Sequence, residues 1–162
     1  MTADEFGSLA GELDYPMLIV TAASGRERDG CLVGFATQCS IDPPRFLVCI
    51  SDKNRTYRIA QASGTLVVHV VPADAHDLVE LFGGETADEI DKLAQVEWSE
   101  GADGVPILAG CPNWFAGAVL DRVRLGDHVG FVLAPTDVSH GAPAQAAFPF
   151  SEAKDVKPGH EA

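Results

Sequence analysis

The sequence predicts a mainly β domain with short helices, built as an antiparallel, closed or nearly closed barrel. Two observations carry that class. Apolar runs of strand length follow one another with only short helical stretches between them, which argues against a doubly wound parallel sheet, where long helices alternate with strands. The runs are rich in β-branched residues and bounded by Gly, Pro and polar turns, and closing the sheet removes the edges that so many strands would leave exposed.

Taken in order, residues 15–22 form a β-rich run that ends at a polar turn over residues 24–30. Residues 31–39 resume with small and apolar side chains. Pro43 and Pro44 then stop the strand, because proline cannot donate a ladder hydrogen bond. Residues 45–51 (RFLVCIS) are apolar on both faces, as in a central strand. A short helix is expected over residues 54–62, with Tyr57, Ile59 and Ala60 on its apolar side and Gly64 just past its end. Residues 65–71 (TLVVHVV) make the next strand, which Pro72 ends. A second helix, residues 73–82, carries Leu78, Leu81 and Phe82 and stops at Gly83-Gly84. A third spans residues 86–96, with Thr86 and Glu89 spaced as a capping box. Strands return at residues 106–108, 113–123 and 127–134, the last continuing past Pro135 over residues 136–139. Beyond His140 the composition shifts to Gly, Ala, Pro and then charge. The chain thus divides into a domain over residues 1–140 and an arm over residues 141–162, loosely ordered or docked on a partner subunit through Phe148 and Phe150.

A chain of 162 residues, 46% hydrophobic and 22% charged, is large enough to bury one core without disulfide or metal. Its net charge of −13 argues against nucleic acid or an anionic membrane surface as partner. No apolar stretch approaches the ~18 residues that a spanning helix needs. Residues 1–13 hold Asp4, Glu5 and Glu12 and no Lys or Arg, the reverse of a secretory signal. Cys31, Cys39, Cys49 and Cys111 lie in apolar surroundings without a C-x-x-C pair. These features place the protein in the cytoplasm.

No G-x-G-x-x-G, Walker or G-x-S-x-G motif is present, and His69, His76, His128, His140 and His160 show no chelating spacing, so no metal is expected. Three stretches remain. Lys53, Asn54, Arg55 and Thr56 sit between a strand and a helix, where helix-end N–H groups and the helix dipole favour an anion such as a phosphate; a solvated turn with ordinary capping is the plainer alternative. Residues 34–40 (GFATQCS) put small and polar side chains where a core strand would carry bulk. That suits a flat ligand lying against the backbone, or a bulge at a barrel corner. Gly126-Asp127-His128 aims an imidazole into a cleft or makes a hairpin turn.

In their order and spacing these stretches resemble the flavin reductase-like family, which has an FMN-binding split β-barrel. The resemblance also includes the strand YPMLIVT over residues 15–21, the Ser-x-Asp-Pro-Pro ending of residues 30–44, the turn Phe82-Gly83-Gly84, and Gly104-Val105-Pro106-Ile107-Leu108. It covers residues 15–140. It implies a homodimer with one flavin per subunit near the dimer interface. Val33, Gly34, Phe35, Thr37, Gln38, Cys39 and Ser40 would line the isoalloxazine and ribityl chain, while Lys53, Asn54, Arg55 and Thr56 would hold the phosphate. Phe82 would close over the site, and His128 would be the catalytic residue near the flavin face. The implied activity is hydride transfer from NADH or NADPH to FMN or FAD, with reduced flavin passed to a separate monooxygenase. Positioning the two rings is most of what such chemistry asks of the protein. Cys31-Leu32, Gly34-Phe35 and Gln38 depart from the family's usual Met-Thr and hydroxyl residues. The alternatives are therefore an FMN-binding protein without turnover, for storage or electron transfer, or a deazaflavin-binding relative. Cys39 is read as packing rather than redox-active.

Overall fold

The computed structural model describes residues 1–84, 90–141, 147–157 and 159. Seven strands form one antiparallel sheet in the order β2 (Glu27–Val33), β1 (Leu18–Ser24), β5 (Thr65–Val70), β8 (Asn113–Arg124), β9 (His128–His140), β4 (Arg45–Ser51) and β3 (Ala36–Ser40). A separate two-stranded ribbon pairs β6 (Trp98–Glu100) with β7 (Pro106–Leu108). The helices are short, as expected of insertions: α1 (Ala3–Ala10), α2 (Arg55–Ala62), α3 (His76–Gly84) and α4 (Phe150–Ala153). No helix among the described residues is long and apolar enough to cross a membrane.

The central strands are continuous apolar runs because both their faces are covered. On one face, α2 packs Ile59 and Ala60 against β1, β2, β5 and β9 in a cluster that includes Val20, Leu66 and Phe131. On the other, Val79 and Phe82 of α3 meet Met17, Ile19, Leu108 and Phe148. β9 does continue through Pro135, since that residue pairs with Gly117 where the β8–β9 register shifts and no ladder N–H is required.

Several local expectations change. The run at residues 31–39 is two strands, broken at Gly34-Phe35, with β2 and β3 at opposite ends of the sheet order. The break needs glycine: a Cβ at Gly34 would come within 2.6 Å of the Tyr15 ring. The polar stretch at 24–30 is mostly strand, and only Gly25 and Arg26 turn. Its polar side chains point to specific partners, with Arg28 Nε donating to the Gly104 carbonyl at 2.9 Å and Asp29 engaged with α2. α1, which the sequence reading passed over, starts at a Thr2–Glu5 capping box but buries none of its residues. Thr86 and Glu89 lie outside the described residues. Further along the expected third helix, Lys92–Gln95 is a single 3-10 turn capped by Asp91. The second helix begins later than expected because the chain first turns at Pro72, whose carbonyl accepts from Ala75 N–H.

His69 ties three strands together. Its Nδ1 donates to the Ile19 carbonyl at 3.0 Å and its Nε2 accepts from Leu108 N–H at 3.0 Å. Both ring nitrogens are used by the neutral tautomer, and burial pulls the pKa down to about 4. Folding therefore favours the neutral ring. Its contribution is intact above the unfolded pKa near 6.5 and is lost as pH falls from 6.5 toward 4. Over that window the linkage amounts to about 3 kcal/mol. Urea denaturation across pH 7 to 4 should show a falling midpoint, and His69→Gln, which cannot titrate, should flatten that dependence.

Candidate functional site

A cleft of about 390 Å³ opens where β2 ends and the chain crosses to β3. Cys31, Leu32 and Val33 form one wall, and Cys49, Ile50 and Ser51 at the end of β4 form another. Phe82 and Gly83 of α3 close it from one side, with Gly83 so near Leu32 that a Cβ would lie 2.7 Å from its Cδ2. The opposite side is made by Tyr15 together with Phe150 and Lys154 of the C-terminal segment.

Four of the lining rings form a continuous row. His128 lies 5.1 Å from Phe35, Phe35 lies 6.3 Å from Tyr15, and Tyr15 stacks on Phe150 at 4.5 Å with an interplanar angle of 11°. Such a row offers faces and edges to a planar ligand. At its His128 end the lining turns polar with Ser51 and Asn54.

Asn54 is the N-cap of α2, its Oδ1 accepting from Thr56 N–H at 2.9 Å. The positive end of the α2 dipole thus borders the cleft. Its placement is fixed from below. The Thr56 hydroxyl donates to the Asp29 carboxylate at 3.0 Å, both residues being buried, which joins the first turn of α2 to β2. Arg55 reaches Glu27 at 3.9 Å. A second buried ionisable residue, Lys92, lies beneath the same walls and donates to the carbonyls of Gly30 and Phe82 at 3.3 and 3.4 Å.

His128 stands at the start of β9, opposite Ser51 in the β4–β9 register. Its Nδ1 donates to the Asp127 carboxylate at 2.8 Å, and this bond holds the Asp127 pKa below its usual value. A carboxylate can only accept, so Nδ1 carries a proton, and in the neutral form of the ring Nε2 is the acceptor. The Cys31 thiol is pushed up to about 12 by burial, and burial also raises Cys49. Both cleft cysteines therefore stay protonated near neutral pH and act as small apolar surface.

Of the residues singled out in the sequence, Val33, Gly34, Phe35, Asn54, Phe82 and His128 line this cleft. Lys53, Arg55 and Thr56 flank it on the α2 approach without lining it. Thr37, Gln38, Cys39 and Ser40 lie on β3 after the chain has left it, where Thr37 Oγ1 donates to the Gln38 carbonyl and Gln38 Nε2 to the Ser40 carbonyl, each at 3.1 Å. Cys39 is exposed. The sequence reading missed Tyr15, Cys49, Ser51, Phe150 and Lys154 as lining residues. One signal was available for two of them: Tyr15-Pro16 and Pro149-Phe150 are aromatic–proline pairs near the two ends of the chain, and Pro16 and Pro149 face each other in a β-bridge.

The chain belongs to the flavin reductase like domain family, whose model matches residues 10–153. Over 111 residues it is 34% identical to an FMN reductase (NADH) of Bradyrhizobium diazoefficiens, covering 68% of this chain and 61% of that protein. Over 117 residues it is 30% identical to the reductase subunit of a stachydrine N-demethylase of Rhizobium meliloti, covering 70% and 50%. The chain spans between 36% and 61% of the length of these and a further curated relative. In fold it matches the NADH:FAD oxidoreductase of Streptomyces globisporus with a TM-score of 0.81 at 22% identity, covering 90% of this chain and 86% of that one.

Proposed function

We propose that the protein is an NAD(P)H-dependent flavin reductase that binds FMN, or the flavin half of FAD, in this cleft and supplies reduced flavin to an oxygenase component. The observation that carries the reading is the aromatic row that runs to the positive end of α2. The residues present fit such a group. Gly34 and Gly83 let Tyr15 and Leu32 pack tightly against the backbone and so shape the cleft walls, those walls are largely apolar, and a helix N-terminus borders the polar end. The activity named for the Bradyrhizobium relative supports the reaction, and the subunit name of the Rhizobium relative supports an oxygenase partner.

When bound, the flavin supplies the hydride acceptor; the protein supplies placement. The positive end of α2 and the Asn54 side-chain amide would hold the phosphate, with Lys53 and Arg55 adding positive charge in an otherwise acidic chain. Phe35 and Tyr15 give ring faces and edges, while Ile50 and the Cys31 and Cys49 thiols keep water from the inner wall. His128, oriented by Asp127, accepts from the carboxamide N–H of the nicotinamide and so sets the approach of the donor ring. We place the protein in the cytoplasm as a homodimer of closed split barrels. The dimer reading draws on Leu120 and Val123 on β8, Leu125 in the β8–β9 turn and Val138 on β9, all exposed in the single chain. Sedimentation velocity should give twice the 17.1 kDa chain mass, and a monomer at micromolar concentration would remove this part of the reading.

Purified protein loaded with FMN should be yellow and should bleach on anaerobic addition of NADH or NADPH. His128→Ala should slow bleaching by about tenfold or more, in line with loss of one positioning contact, with the FMN Kd nearly unchanged. Tight FMN binding with no bleaching by either nucleotide would contradict the reductase reading.

A further inference from the structure

The arm after residue 146 does not hang free. Ala147 pairs with Pro72, and Phe148, almost wholly buried, donates its N–H to the Val71 carbonyl at 2.8 Å and accepts from Met17 N–H at 2.7 Å. Phe150 N–H donates to the Tyr15 carbonyl at 2.9 Å. The segment is therefore anchored on its own subunit, against the stretch that precedes β1. Past this anchor the chain makes the single turn α4, and Phe150, Ala153, Lys154 and Val156 become part of the cleft wall.

α4 shares the apolar cluster of Phe148 through Ala153, and polar bonds at the rim fix its position. The Asp14 carboxylate accepts from Ser151 N–H at 3.0 Å and from the Ser151 hydroxyl at 2.9 Å. These two bonds keep the Asp14 carboxyl below its usual pKa. Lys154 Nζ donates to the Gly11 carbonyl at 2.6 Å. All three bonds are exposed at the rim, while the Phe150 ring stacked on Tyr15 faces the cleft. Ala153 is buried and Phe150 and Val156 pack against the same cluster, but the polar bonds that fix α4 are exposed, and a short terminal turn held this way opens locally at less cost than the sheet beneath it.

We propose that this C-terminal strap is a working wall of the cofactor cleft: Phe150 is a further cofactor-contact residue, and Asp14 is the positioning residue that holds it in place through Ser151. The proposal rests on the flavin reading above. Phe150 extends the aromatic row by a fourth ring, so a planar ligand seated along Phe35 and Tyr15 meets its edge or face. Misplacing α4 removes that ring contact, so the strength of the Asp14–Ser151 bonds sets how fast the ligand leaves. Asp14 and Ser151 themselves do not line the cleft.

The test is a double-mutant cycle read as FMN dissociation, followed by stopped-flow fluorescence on the full chain. Phe150→Ala should raise the dissociation rate by about tenfold, and Phe150→Tyr should restore it to within about twofold, because ring area is what the contact needs. Asp14→Ala should raise it by about threefold to tenfold in the native background and have no further effect when Phe150 is already Ala, since it acts through that ring. Asp14 is exposed, so its variant reports positioning and not folding; an unchanged thermal midpoint checks this. Additive effects, or an unchanged rate in Phe150→Ala, would overturn the proposal while leaving the flavin reading in place. Failure of the unaltered protein to bind FMN at all would instead overturn that reading.

Discussion

The bond between Asp29 and Thr56 decides where the positive end of α2 falls. α2 is only eight residues long, and helices of that length have little stability of their own. Ile59 and Ala60 hold its middle on the sheet, but apolar packing alone lets a short helix slide or tilt. A buried carboxylate that accepts from the hydroxyl in the first helical turn fixes both position and tilt. Charge-assisted bonds of this type contribute about 1.5–3 kcal/mol, and either partner would be costly to leave buried alone.

From that fixed point the rest of the cleft follows. Asp29 lies on β2, and four residues later β2 ends at Val33, so the carboxylate that orients α2 belongs to the strand whose end forms a cleft wall. Gly34 lets the chain leave β2 under the Tyr15 ring, and Phe35 is delivered between Tyr15 and His128. The ionisable residues inside are committed to the scaffold. Lys92 is bound to two carbonyls, His69 is neutral with both nitrogens engaged, and the buried thiols stay protonated. The groups left to meet a ligand are ring faces, a helix end and one imidazole. That inventory suits chemistry in which a bound cofactor supplies the reactivity and the protein supplies alignment.

Much of the fold can be read from the chain because the sheet strands write themselves as apolar runs: TLVVHVV is buried on both faces, and RFLVCIS is apolar on both although Arg45, Phe46, Leu47 and Cys49 are only half-buried. β2 reads as a turn for the opposite reason: Glu27, Arg28 and Asp29 are polar in succession, yet each side chain has a distant partner in Arg55, Gly104 or Thr56, which sequence spacing does not reveal. At the site, the local motifs were legible. Asn54 marks a helix cap, Gly34 a close approach, and Gly126-Asp127-His128 a strand entrance. The family resemblance assigns residues 37–40 to the lining; because the chain breaks at Gly34-Phe35, they lie on β3 and outside the cleft of the single chain. Phe150 and Lys154 reach the cleft through contacts across more than 130 residues, and such closure leaves no periodic trace.

The claim that Asp29 works by position can be separated from its charge. Removing a buried negative charge near a phosphate site would, by Coulomb attraction alone, tighten FMN binding. If Asp29 instead serves to aim α2, Asp29→Leu weakens FMN by about tenfold, a loss of roughly 1.4 kcal/mol, while riboflavin, which lacks the phosphate, keeps its affinity to within about twofold. The decisive measurement is the ratio of FMN to riboflavin affinity in that variant by fluorescence titration. A ratio that falls supports the account, and a ratio that holds or rises contradicts it.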